Sequence, residues 1–298
     1  AEGLLQVAGI VVDEGPLVDL VMQADAPERV AKAAVSIVGP QTVSRLIDMM
    51  VATDAKLRAL EGDVDEPTRQ QYWRLSGWIS NTGLVPFIQA VLSRSVTDEP
   101  LEIARLADLV ACHGKGESEE PLQLEDKLYE QMIAAVGRWG ETLLASPTAN
   151  RTQLAEVSRA IGRLAAPQLV PILQRLLTED LARWRCSRDE FLDALSKERH
   201  VQSEAHTSWT RQYSRAFAAI GDEHVVELMK AYLPDAGYCG FGLDAAHALK
   251  EIYNRQKNSP KDKRFMSWPD FSEVKAKRAE RQDRSTSIES SEFADAII

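Results

Sequence analysis

Residues 158–170 and 214–226 align without a gap: both open with Ser-Arg-Ala, and both end on two aliphatics, Leu169-Val170 and Val225-Val226. Of all the features of this chain, this one narrows the choice of fold most. The stretch Thr210 to Asp222 reads as a helix ending near Gly221. A tight corner follows, and Glu223 to Leu233 reads as a second helix packed back on the first. One helical pair cannot bury its own apolar stripe, whereas stacked pairs bury a continuous one. A chain that repeats such a unit is therefore expected to stack.

Other helix ends fall into the same column. Ala34-Val35-x-x-Val38, Ala160-Ile161-x-x-Leu164, Ala216-Phe217-x-x-Ile220 and Ala248-Leu249-x-x-Ile252 share one spacing. A small Ala and two larger apolar residues at i, i+1 and i+4 give each helix one stripe to offer its neighbours. A weaker copy lies at Leu75 to Val85. Ala135 to Trp139 also matches, but it stands too close ahead of Ala160 for a full extra pair.

Punctuation residues set the expected boundaries. Residues 3–23 read as a first helical hairpin, and Asp25-Ala-Pro27 as a helix start. Gly39 closes one helix and Pro40 opens the next, Gln41 to about Leu60. After an acidic loop at 61–67, helices are expected over Thr68–Ile79, Leu84–Ser93, Glu99–His113 and Leu124–Ala145, the last as one long helix or two short ones. Arg151–Leu164 and Gln168–Trp184 form the next hairpin, with Pro167 at its corner. Residues 185–207 interrupt the pattern as an insertion holding a small capped helix, Ser187–Ser196. Trp209–Ile220, Glu223–Leu233 and Leu243–Arg255 complete the core. Beyond it, 256–298 reads as a weakly ordered tail, first basic and then rich in Ser and Glu.

These residues resemble the HEAT-repeat family of armadillo-like α-solenoids, whose second helix ends in an Ala-Leu-Gly-x-Ile-Gly-like sequence. Ala160-Ile-Gly-Arg-Leu-Ala165, Ala34-Val-Ser-Ile-Val-Gly39 and Ala245 to Ile252 stand in its place over roughly residues 25–255. The resemblance implies an all-α fold, a right-handed α-α superhelix of about five to six helical pairs. It covers 1–255, with the insertion at 185–207. The sequence departs from the family in spacing. The interval from Ala160 to Ala216 exceeds the ~40–47 residues usual for such pairs, and that from Ala216 to Ala248 falls short of it.

Charge and composition restrict function. The formal net charge of -10 argues against the whole chain acting as a non-specific nucleic-acid binder, which needs many cations to displace counterions from phosphate. Three widely spaced cysteines, Cys112, Cys186 and Cys239, fit free thiols in a reducing compartment. No apolar run approaches the ~20 residues of a membrane span. The amino-terminal region lacks a basic stretch before its apolar segment, so no signal peptide is expected. A cytoplasmic protein, or a piece of a longer one, is the expectation.

Catalytic chemistry finds little purchase. His200 and His206, sharing the insertion with Cys186, lack the close pairing of a zinc site. No His-Glu dipeptide occurs, although the hydroxylases of the HEAT family carry repeated ones. Gly114-Lys-Gly-Glu is not a phosphate loop, because G-x-x-x-x-G-K-[ST] is absent. Gly237, Gly240 and Gly242 read as a turn, and Asp244 in the next helix would repel an anion. Trp73, Trp78, Trp139, Trp184 and Trp209 sit in or beside the repeats, where a Trp is usually core. The expectation is no enzyme, no cofactor and no metal. Instead, the chain should be a scaffold or recognition module whose protein partner lies along a concave face. Arg74, Arg159 and Arg215, at equivalent helical places, form a candidate Arg ladder. Arg185 and Arg188 flank it at the insertion. The alternative is a nucleic-acid-interacting solenoid that uses this ladder and the basic tail.

Overall fold

Several helix ends stand at Gly, Pro or Asx residues, among them Pro40, Gly83, Pro100, Asn150, Gly221 and Asp222. The computed structural model describes residues 38–59, 66–114, 121–184, 202–235 and 241–257. Every regular element among them is helical: ten α-helices and one 3-10 turn. The fold of the described residues is thus all-α. The expected hairpin at 3–23, the start at Asp25–Pro27, the small helix at Ser187–Ser196, Gly237–Gly240 and the tail beyond 257 lie outside them.

The chain divides into two compact units, Ala1–Ala149 and Asn150–Ile298. In the first, the described helices are α1 (Pro40–Ala59), α2 (Glu66–Ser80), α3 (Leu84–Arg94), α4 (Pro100–Cys112) and α5 (Asp126–Ala145). The acidic loop ends two residues earlier than expected, because Glu66 and Pro67 already belong to α2; Pro in a first turn loses no helical hydrogen bond. The uncertain region before Ala145 is one helix. Gly39 serves α1 as its N-cap, its carbonyl accepting from Val43 N.

In the second unit, α6 (Arg151–Leu164) leads through the 3-10 turn Pro167–Leu169 into α7 (Val170–Trp184). Then come α8 (Gln202–Ile220), α9 (Glu223–Tyr232) and α10 (Gly242–Lys257). Helix α8 begins well before Trp209, at Gln202, within the span read from the sequence as an insertion. Residues 185–201 fall outside the described set.

The main helix packings join elements one or two apart. In the first unit these are α1 with α2 and α3, α2 with α4, and α5 with α3 and α4. In the second, α6 packs on α7 and α8, α8 on α7, α9 and α10, and α9 on α10. The three column helices α6, α8 and α10 therefore lie in sequence, each against the next. Ala160, Ile161, Ala216, Phe217, Ala248, Leu249 and Ile252 are all buried, as their shared register requires.

Close approach in this stack depends on small residues. A Cβ built at Gly162 of α6 would lie 3.0 Å from the Cα of Ala216 in α8. The aligned corners also match in backbone. Ala165, after α6, has φ 49°, and Gly221, after α8, has φ 59°. Both are left-handed residues that let the chain turn back, and each amide donates to a carbonyl of the helix just ended: Ala165 N to Ile161 O, Gly221 N to Phe217 O. Two helix starts are capped by side chains. Asn150 and Gln153 form a capping box on α6, and Asp222 caps α9 by accepting from Val225 N.

Cores form separately in the two units. In the first, Trp139 is fully buried, and its Nε1 donates to Ser95 O at 3.2 Å. In the second, Phe241 meets Phe217 and Tyr232 edge-on, with centroids at 6.5 and 5.2 Å. These rings clamp α8, α9 and the start of α10 together.

Candidate functional site

The sequence-expected arginines separate into three groups. Arg159 of α6 and Arg215 of α8 lie at the same register on stacked helices. Arg159 is half-buried and donates through Nη1 to Glu156 one turn away, and Arg215 is exposed. Arg74 belongs to the first unit, on α2, where its guanidinium lies 6.0 Å from the centre of the Trp78 ring. Arg185 and Arg188 lie outside the described residues. The structure thus brings two of the five onto neighbouring helices.

Other arginines, which the sequence did not single out, hold the helices together. Arg105 of α4 grips Asp54 of α1 with two hydrogen bonds, Nε to Oδ2 at 3.0 Å and Nη2 to Oδ1 at 2.7 Å. Its Nη1 also reaches the Tyr72 hydroxyl of α2 at 3.3 Å. Arg94 of α3 joins Asp48 of α1 to Glu102 of α4. Burial alone would lower both guanidinium pKa values, but their oxygen partners hold both above the ordinary value. In the second unit, Arg151 of α6 meets Asp180 of α7, and Nε donates to Oδ2 at 3.1 Å. Nη2 stands 2.8 Å from Oδ1 as a charge contact without hydrogen-bond alignment. Asp180 is fully buried and also accepts from the Tyr213 hydroxyl of α8 at 3.2 Å. Burial first, and then the Asp180 charge, push the Tyr213 phenol well above its usual range.

Three further titratable residues among the described ones also make contacts within the fold. His113 is buried at the end of α4, stacked on Phe87 with centroids 4.0 Å apart, and its Nε2 lies 3.1 Å from Thr82 O. With the bond from Gly114 N to Ser80 O, it ties the end of α4 to the corner after α2. Cys112 donates through Sγ to Asp108 Oδ1 at 3.4 Å. Asp244, in the first turn of α10, is held above the usual carboxyl range by burial. A hydrogen bond from Thr210 and the charges of His247 and Arg211 oppose that shift. No cluster of three or more His, Cys, Asp or Glu that could hold a metal exists among the described residues. Nor is any described helix long and apolar enough to cross a membrane.

One surface stands apart. Of the tryptophans placed in the repeats, Trp78 and Trp139 are buried, but Trp73 is 65% exposed. The side chains of Trp184 and Trp209 fall outside the described residues. Helix α2 buries Leu75, Trp78 and Ile79. At ~100° per residue, Trp73 points away from that stripe, so a helical wheel could have shown its exposure. Tyr72 meets its ring edge-on at 5.5 Å. Gly77, one turn on, has open space where a Cβ would stand. An exposed aromatic on a rigid helix, beside an exposed Arg74, is the chemistry of protein contact surfaces. No protein-family model, no curated protein and no solved structure matches this chain.

Proposed function

We propose that this chain is a protein-recognition module built as a HEAT-like α-solenoid, acting as a scaffold within a larger assembly and not as a catalyst. The stacked register of α6, α8 and α10, and packing between helices one or two apart in each unit, support the solenoid reading. The formal net charge of -10 favours a protein partner over nucleic acid.

The observation that carries the recognition reading is Trp73, exposed on α2 with Arg74 beside it. Trp and Arg are the side chains that most often anchor protein interfaces. A photo-crosslinking residue at position 70, exposed one turn before Trp73, should join the intact chain to a discrete protein partner, and Trp73→Ala should lose that partner in affinity capture. A chain that cross-links to nothing at position 70, or that captures the same partners after Trp73→Ala, refutes the reading.

A further inference from the structure

We draw no further inference here: the strongest candidate, the side-chain amide of Gln256, buried without a hydrogen bond at the carboxy-terminal end of the α10 stripe, carries nothing because no group among the described residues shows what would meet it.

Discussion

Replacing Gly162 with Ala tests the stack of α6 on α8 most directly. In an ordinary helix interior this change is favourable by about 1 kcal/mol, and a newly buried methyl adds about 0.8 kcal/mol. Here the new Cβ would stand 3.0 Å from the Cα of Ala216 and 3.3 Å from its Cβ. Carbon atoms prefer ~3.5–4.0 Å, so α8 has to retreat by roughly 0.5–1 Å, and the obstacle is backbone that cannot swing aside. A gap of that size forfeits about a quarter or more of the attraction across it. For two buried side chains the size of leucine, that loss is about 2–6 kcal/mol. After the two gains are subtracted, a net destabilisation of ~2 kcal/mol remains, inside the usual range for overpacking. In urea this should lower the midpoint by about 1 M with an unchanged slope. Hydrogen exchange should locate the loss of protection in α6 and α8. A variant as stable as the native chain, or more so, would show slack between these helices and refute the reasoning.

Gly77→Ala is the matched control: with open space at its Cβ, it should stabilise the chain by about 1 kcal/mol, measured by the same denaturation at low micromolar concentration. Ala165→Gly should stabilise by up to ~1 kcal/mol, since φ 49° costs alanine what it does not cost glycine. Gly221→Ala should destabilise by ~2 kcal/mol or more, because strain at φ 59° combines with a Cβ 2.9 Å from Ala218 O. Tyr213→Phe removes a hydrogen bond to a fully buried carboxylate and should cost about 1.5–3 kcal/mol by urea unfolding. Asp244→Asn should change stability with pH. Burial raises the folded carboxyl pKa, so its penalty is absent below the unfolded value of ~3.9 and grows as pH rises through the folded value. The stability of the Asn variant relative to the native chain should therefore increase from pH 4 towards neutral; a constant difference would show that Asp244 titrates as it does in the unfolded chain.

Several helix boundaries were legible from a residue with a strong backbone preference at the corner. Pro100, Asn150, Gly221 and Asp222 each mark an observed end. The start of α8 was not legible, because Gln202 to Ser208 contains no apolar stripe for periodicity to register. The Arg clamps were invisible for a different reason. Arg105 and Asp54 stand 51 residues apart in sequence, and Arg151 and Asp180 stand 29 apart; only the packing of helices brings them together. None of these clamps uses an arginine of the expected binding ladder. Trp73 was misread by residue type: an indole suggests core until its angle from Leu75, Trp78 and Ile79 is considered.

The two aligned corners show how far a shared register governs structure. Ala165 and Gly221 adopt nearly the same backbone at the same place, although only glycine does so without strain. Past these two residues the paths diverge. Asp222 caps α9 through its side chain, whereas after Ala165 the chain enters a 3-10 turn at Pro167 before α7 begins. Even so, Leu169 and Val170 are buried like Val225 and Val226. The two copies therefore share the position of apolar side chains relative to the stacked helices, and not the chemistry of the turn. That is the expected outcome when burial along a stack drives the fold: the apolar stripe fixes where each helix lies, and each corner need only return the chain in the right register. Relieving a strained corner, as in Ala165→Gly, should accordingly alter stability by a small amount, while Gly162→Ala, which touches the stack itself, and Gly221→Ala, whose Cβ would meet Ala218 O and Ile252, should cost more.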